Sequence, residues 1–561
     1  MNWRPKNRIK QVLSEIPFAA EIYWQLGQSG KPLSKNFSLS HMAKALPEWC
    51  AQAETSRELM PIPHLKQRRI FLFATLRQWI QQTTLLGIAF AGQGHQPTLC
   101  YLPYSDWRHS TNRFDLRRQN LYTQNILSKA HPLLQTVSFY EVNIDPDTSV
   151  RLDGLPASLA ESIQQISLRD VQYTLHIEDF DINEEKSETS KLYHLRLERN
   201  TQAAKTALAR LSTNKPDVVV VPNGSILEFG SIYQVARFLD IPVVTYEFGE
   251  QRQRIWLAQN NEVMLQDTGP LWKTRSNQPL DECQWDRIKN LYKSRRQASL
   301  WENFSRRWQG LPSQGGEQVR NSLGLDLRPV VLLAANVIGD SLTLGRQVFS
   351  QSMTDWLEQT IIYFSQRPDT QLVIRVHPGE KYTKGPSVAQ IVNKILPELP
   401  AHIHLIPTDA QINTYDLVEI ASLGLVYTTT VGMEMAMSGI PVIVAGKTHY
   451  MAKGFTLDPH TWEEFYAHLE RLLSDPSQTR IPMEQVQIAW NYAYRFFFEY
   501  PFPFPWRLHF FIQGDIKTWP LERVLSEEGQ VMFRKTFQYL AGEPIDYINH
   551  TAFLTDDRGY R

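Results

Sequence analysis

"VIRVHPGEKY", Val373–Tyr382, is the stretch on which the reading of this chain turns. A strand-like apolar run, Leu372–Val376, carries Arg375 inside it and stops at His377-Pro378. Proline has no N–H and holds the residue before it extended. The histidine is therefore fixed at a strand end, where an imidazole can donate to a phosphate or act as a general acid. Taken alone, His-Pro reads more simply as a strand terminator with a surface histidine. Its weight depends on its surroundings.

Those surroundings are a βα series. The runs "RPVVLLAANV" (328–337), "QLVIRV" (371–376), "HIHLIP" (402–407), "LGLVYT" (423–428) and "PVIVAG" (441–446) alternate with helical segments such as "MTDWLEQTIIYFSQ" and "GMEMAMSG". Continuous apolar strands between helices indicate a parallel sheet covered on both faces. A similar series precedes it: "RRIFLFATL" (68–76), "QPTLCYLPY" (96–104), "PDVVVVPNG" (216–224) and "IPVVTYEFG" (241–249). The expected fold is α/β: two doubly wound Rossmann-like domains facing a cleft, with an N-terminal helical extension. The boundaries read as 1–65 for the extension, 66–311 for the first domain and 317–487 for the second. Residues 488–561 form an aromatic helix and tail that packs back across both, and "PSQGG" (312–316) is the connection.

Bulk composition narrows the function. The 561 residues hold 42% hydrophobic side chains, and Lys plus Arg (58) balances Asp plus Glu (58). Balanced charge gives no general attraction to nucleic acid or anionic membranes. The three cysteines are scattered, which disfavours a disulfide framework or a zinc site and fits a reducing compartment. No apolar stretch of spanning length is present, so a soluble cytoplasmic protein is the expectation. "WNYAYRFFFEYPFPFPWRLHFF" (490–511) is aromatic enough to touch a membrane interface or a lipid-linked acceptor. The simpler reading, a final helix sealing the two domains, is favoured.

Ligands of open parallel sheets bind beyond the carboxyl ends of strands. In the second series that rule selects Asn336 to Ser341, His377-Pro378, Thr428 to Glu434 and Gly446 to Thr456. The threonines precede a short helix, whose free amides and dipole suit phosphate. Gly432 would allow close approach, and Glu434 could grip a ribose diol. An ordinary capped helix explains the same residues equally well.

With these motifs in place, the second half resembles GT-B glycosyltransferases of the bacterial capsular polysaccharide type, including Kdo- and sialyl-transferase-like enzymes. The resemblance rests on "RVHPGE" (375–380) and "TTTVGMEMAMSGIPVIVAG" (428–446), with "NTYDLVE" (413–419) and "KGFTLD" (453–458) beside them. "VVPNGSILEFGSIYQVARFLDIPVVTYEFGEQRQRIWLAQN" (220–260) is similar to the first-domain segment of such proteins. It implies a nucleotide-sugar donor, CMP-linked in the relatives that carry serines where threonines stand here; UDP- and GDP-sugars remain alternatives. It implies that Asn336, Ser341, Arg375, Pro378, Thr429, Thr430, Gly432, Glu434 and Lys453 surround the donor, with His377 on its phosphate. Asn223, Gly224 and Glu250 would lie on the acceptor side. Glu247 is the expected general base and Asp340 the second candidate. The acceptor would be a saccharide or a lipid-linked saccharide, at the inner face of the membrane. "DFD" (179–181) imitates a metal-binding motif but sits in an acidic polar loop, so neither metal nor other cofactor is expected. Three other readings stand beside it: a CDP-alcohol phosphotransferase of the teichoic-acid type, a non-hydrolysing sugar-nucleotide epimerase, for which the sequence offers no second strong histidine constellation, and a non-catalytic nucleotide-sugar-binding protein.

Overall fold

The continuous valine run at 218–221 forms a strand buried along its whole length, as the sequence demands of a central strand. In this computed structural model, residues 5–28, 30–59, 67–140, 154–184, 187–305, 307, 309–475, 480–508 and 514–549 are described. Parts of the expected extension (1–4, 29 and 60–65) and of the expected tail (509–513 and 550–561) lie outside them.

The first sheet contains β1 (Arg69–Thr75), β2 (Gln96–Leu102), β3 (Gln135–Ser138), β4 (Val218–Pro222), β5 (Val243–Glu247) and β6 (Arg254–Gln259), and is completed by β12 (Phe502–Pro503). Its order is β12-β6-β5-β4-β1-β2-β3. The strands from β5 to β3 are parallel; β6 and β12 add an antiparallel edge. The second sheet contains β7 (Val330–Ala334), β8 (Gln371–Arg375), β9 (Ile403–Ile406), β10 (Leu423–Val426) and β11 (Val442–Val444), ordered β11-β10-β7-β8-β9 and parallel throughout. Each sheet reverses its winding once, between β1 and β4 and between β7 and β10. These reversals open the crevices where such sheets bind ligands.

Packing redraws the expected boundaries. Leu271, Leu280, Ile288, Leu291 and Phe304 sit in the core of the second sheet with Val330, Leu332 and Val426. The helix Glu282–Arg296 thus belongs to the second domain, where the boundary at 311 had assigned it to the first. Its abundant charge hides a narrow apolar stripe in the sequence. At the other end, Tyr492 and Phe496 join that same core, whereas Phe502, Phe504, Trp506 and Phe537 join the core of the first sheet. Phe37, Leu46, Trp49 and Ala53, in and before the helix Ser40–Leu59, also pack into the first core. Among the described residues no helix is long and apolar enough to cross a membrane.

The two domains meet through a short first-domain segment. Glu178 accepts hydrogen bonds from the backbone N–H groups of Met353 (3.0 Å) and Thr354 (2.8 Å), at the start of the second-domain helix Met353–Ser365. The backbone of His176 and Ile177 lies against Gly339 and Gly385, where an added Cβ would come within 2.6 Å and 2.0 Å of it. Replacing Glu178 by Ala removes acceptors at a helix N-terminus and is expected to cost about 1 kcal/mol. Hydrogen exchange should accelerate at the amides of Met353 and Thr354 while the buried strands β4 and β7 stay protected; unchanged exchange there would show that Glu178 does not hold the domains together.

Candidate functional site

At the second-domain switch point, the Asn336 side-chain oxygen accepts from the Thr428 N–H at 3.1 Å, joining the ends of β7 and β10. The Thr428 hydroxyl donates to the Leu342 carbonyl at 2.9 Å. Loop 336–345 is therefore tied to the threonine run. Asp340 folds onto its own loop, accepting from the Ser341 N–H (2.7 Å) and hydroxyl (3.3 Å). Thr430 precedes the seven-residue helix Val431–Met437, and its hydroxyl makes no capping bond. The Thr429 carbonyl accepts from the Tyr450 hydroxyl at 2.6 Å. Gly432 makes room for that tyrosine: a Cβ there would collide with the Tyr450 oxygen.

His377 ends β8 in extended backbone, and Pro378 opens a short helical turn. The His377 Nδ1 accepts from the Gly379 N–H at 3.0 Å, which places the proton of the neutral ring on Nε2. Beside it, two expected donor contacts are corrected. Arg375 is buried and donates to the carbonyls of Pro407 (2.7 Å) and Ile412 (3.4 Å), so it braces a loop. Burial lowers its pKa to about 10. Glu434 is buried too, with one oxygen on the Arg295 guanidinium and the other accepting from the Tyr415 hydroxyl at 3.0 Å. Both oxygens are occupied within the core, which leaves no diol contact to it. Lys453 is partly buried near Asp267 and Asp458, with its pKa lowered by that burial.

In the first domain, Asn223 and Gly224 take the left-handed conformation after β4 (φ 58° and 83°). The Asn223 amide donates to Glu247 at 3.1 Å, and the Phe248 N–H donates to the other Glu247 oxygen at 2.9 Å. Burial nevertheless raises the pKa of Glu247, outweighing those two bonds. Tyr173 feels the charges of both Glu247 and Asp340, which places it near the two expected catalytic carboxylates. Glu250 departs from the acceptor side: it approaches Arg295 at 3.4 Å, and its carbonyl accepts from Ser305. Asp179 and Asp181 of "DFD" are exposed, and Asp181 accepts from the Asn183 N–H. Within the aromatic stretch Phe496, Phe497, Phe498, Tyr500, Phe502, Phe504 and Trp506 are all buried, as a segment sealing the domains requires, and 509–511 lie outside the described residues.

Four side chains near these elements went unnoticed in the sequence. Arg169, Tyr173 and Arg346 line a cavity of about 40 Å³ shared with Asn223, Ser225 and Ser341. Nothing in their local sequence marks them, because they converge only through domain packing. The fourth, Glu380, lay in plain view in the "HPGE" turn. It is buried, and one of its oxygens accepts from the Val388 N–H at 2.8 Å. Desolvation raises its pKa from 4.5 to about 7. A carboxyl with a raised folded pKa stabilises the fold fully below its unfolded value, and loses that contribution as pH rises through the folded one. Stability should therefore fall between roughly pH 4.5 and 7 by up to about 1.4 kcal/mol per pH unit from this group. Glu380→Gln should flatten that part of a denaturation-versus-pH profile; an unchanged slope would show that Glu380 titrates normally.

Residues 314–491 match the family described as capsule polysaccharide biosynthesis protein. No curated protein matches the chain. Among solved structures it is similar to Thermosulfurimonas dismutans KpsC, a beta Kdo 2,4 transferase, at 15% identity over 49% of this chain and 78% of that one, with a TM-score of 0.30. A UDP-N-acetylglucosamine 2-epimerase from Neisseria meningitidis, bound to UDP-GlcNAc, is similar at 13% identity over 77% of this chain and 99% of that one, with a TM-score of 0.24. With two doubly wound sheets facing one cleft, this chain has the GT-B arrangement, and its second domain resembles the capsule polysaccharide biosynthesis proteins.

Proposed function

We propose that this chain is a glycosyltransferase of surface or capsular polysaccharide assembly. It would move a sugar from a nucleotide donor, with a CMP-sugar favoured, to a saccharide or lipid-linked saccharide at the cytoplasmic face of the membrane. The observation that carries this reading is Glu247. It is a carboxylate at a strand end, oriented by Asn223 and Phe248, with burial raising its pKa toward the range of a working base. Asp340 of the other domain acts on the same tyrosine, which supports reading Glu247 as a cleft residue.

In a single displacement Glu247 takes the proton of the acceptor hydroxyl as its oxygen attacks the anomeric carbon. The bond from that carbon to the donor phosphate breaks, and its electrons leave with the nucleotide. Charge then grows on the phosphate, where hydrogen-bond donors count most. The Nε2 proton of His377 and the Thr429 and Thr430 hydroxyls are the groups assigned to it, with Asn336 and Thr428 holding the two strand ends in register.

Glu247→Gln keeps the shape and removes the base. Transfer should fall roughly 10²–10⁴-fold, with nucleotide binding intact and little change in melting temperature. His377→Ala should instead weaken nucleotide binding, since a charge-assisted hydrogen bond is worth about 1.5–3 kcal/mol. Titration calorimetry with CMP, UMP and GMP, beside a radiolabelled transfer assay, separates the two effects. Wild-type transfer by the Gln variant refutes the base assignment; a chain that binds none of the three nucleotides refutes the reading altogether.

A further inference from the structure

Helix Pro5–Glu15 has its polarity reversed. Toward the protein it turns Lys10, which pairs with Asp115 at 2.6 Å, and the buried Ser14, whose hydroxyl accepts from the Phe114 N–H at 3.1 Å. Ile9, Val12 and Ile16, three and four residues apart on another face, stand in solvent. The next segment repeats the arrangement. Ala20, Trp24 and Gln28 hold it to the first domain, with the Trp24 ring edge-on to Tyr122 and the Gln28 side chain accepting from Arg118 at 2.7 Å. Phe18, Ile22 and Leu26, spaced four apart, project outward; Phe18 is 71% exposed and Leu26 82%. Among the described residues sixteen large apolar side chains are exposed, and seven of them fall between Ile9 and Leu26. Scattered singly, such residues need no explanation. Gathered into two aligned stripes, they mark a surface that something covers.

Charge decides what covers it. The two segments pack on helix Arg113–Leu127. Over residues 5–37 and 113–127, eight Lys and Arg stand against three acids, Glu15, Glu21 and Asp115, in a chain whose totals balance at 58 and 58. Asp115 is already neutralised, by Lys10 and by Arg118 at 3.2 Å. Glu21 shares its surroundings with Arg113 and Arg117, all three acting on Tyr140. A second copy of the chain would set this surplus against itself, because a two-fold contact meets the same patch from both sides. An anionic lipid surface complements both parts of the patch: the acyl boundary takes the apolar stripes and the headgroups take the cations. A helix of 11 residues is roughly 16 Å long, about half the thickness of the hydrocarbon layer, so it lies in the interface and does not span.

The patch also stands where such contact is useful. Helix Arg113–Leu127 begins beyond the carboxyl end of β2, on the edge of the sheet that faces the cleft. In the loop before it, Trp107 donates to Thr174 at 3.2 Å, next to Tyr173, and Arg108 acts on Tyr173 and His176. We infer that residues 9–28, with the start of helix Arg113–Leu127, form a docking surface for an anionic bilayer. Ile9, Val12, Ile16, Phe18, Ile22 and Leu26 enter the acyl boundary, and the surrounding cations meet the headgroups. The surface lies outside residues 314–491, which carry the family match. It rests on the glycosyltransferase reading only for its purpose, which is to set the acceptor side of the cleft against a lipid-linked saccharide.

The test floats the full chain with vesicles of phosphatidylethanolamine and phosphatidylglycerol, or of phosphatidylcholine alone. Wild-type protein should float with the anionic vesicles far better than with the neutral ones, and raised salt should weaken that binding. Arg113→Gln should weaken it about fivefold. Val12→Glu, Phe18→Glu and Leu26→Glu together should lower it roughly tenfold or more. The melting temperature should stay in place, because all three side chains are exposed. Independently of any variant, hydrogen exchange in the wild type should slow over residues 9–26 when anionic vesicles are added. The inference is overturned if the wild type floats with neither composition or equally with both, if vesicles leave that exchange unchanged, or if the triple variant floats as the wild type does. A wild-type dimer that the triple variant breaks, read by light scattering without lipid, assigns the surface to a second copy and overturns it too. Calorimetry with CMP, UMP and GMP keeps the two readings apart. Nucleotide binding without vesicle binding removes the docking surface alone; vesicle binding without nucleotide binding leaves the surface and removes the glycosyltransferase reading.

Discussion

Phe496 lies flat against His449, with ring centroids 3.7 Å apart and planes within 7°. The pair sits where the chain turns back from the second domain to the first, and the arrangement of the cleft depends on it. His449 belongs to the segment after β11, buried among Tyr450, Tyr492 and Phe496. Its Nδ1 lies 3.0 Å from the Tyr492 hydroxyl, and burial drives its pKa down to about 3. The ring is thus neutral at any ordinary pH, an apolar plate in an aromatic stack. Beyond it the chain reaches β12, whose Phe502 and Pro503 pair with Ile255 and Arg254 at the edge of the first sheet. One continuous segment is therefore embedded in both cores, and it holds the carboxyl ends of the two sheets on either side of one crevice.

A different economy operates beneath the acceptor-side loop. Arg196, Asp170 and Glu228 are almost wholly excluded from solvent, with Arg196 at 3.0 Å from each carboxylate. Asn200 donates to Asp170 at 2.8 Å, and so does the Leu227 N–H at 2.6 Å. A buried network of this kind is weak evidence for stability, because desolvation offsets most of the Coulomb gain. What it does supply is position. Asn223 and Leu227 both hold positive φ without being glycine, a conformation that costs of order 1 kcal/mol or more at each residue and persists only when surroundings enforce it. Asp170 fixes Leu227 directly, and the β5 carbonyl of Tyr246 accepts from the Asn223 N–H at 2.8 Å. The strained turn is what aims the Asn223 amide at Glu247.

The strands were legible in the sequence where burial is two-sided. β4 and β7 are continuous apolar runs and β8 is an apolar run closed by Arg375, all buried along their whole length. β6 and β12 were not legible: "RIWLAQ" lies at a sheet edge with mixed exposure, and a two-residue strand ending in proline carries no periodic signal. The site shows the same division. His377, Asn336 and Thr428 stand at strand ends as the sequence places them, because strand ends are visible from strands. Glu434 and Arg375 were misjudged because their partners lie elsewhere: Arg295 is 139 residues from Glu434, and the Ile412 carbonyl is 37 from Arg375. A charged residue in a buried strand or helix announces that it has a partner, and not which one. Arg169 and Arg346 gave no signal at all, since only the meeting of two domains makes them neighbours.

That meeting also fixes what the cleft must do to admit a substrate. Nucleotide-sized ligands occupy pockets of roughly 300–1,000 Å³, whereas the cavity between the domains measures about 40 Å³. Polar contacts join the domains around it: Glu178 on the Met353 and Thr354 amides, and Arg346 on the Met264 and Leu265 carbonyls. Each exchanges for water at a net cost of about 0.5–1.5 kcal/mol. The return segment adds apolar burial to its hydrogen bonds, and pulling it out of the two cores would expose Phe496, Tyr492 and Trp506 at about 1.5–3 kcal/mol or more apiece. The cheaper movement keeps the aromatic stack intact as a hinge and parts the polar contacts. Arg169 and Arg346 then separate with the domains that carry them.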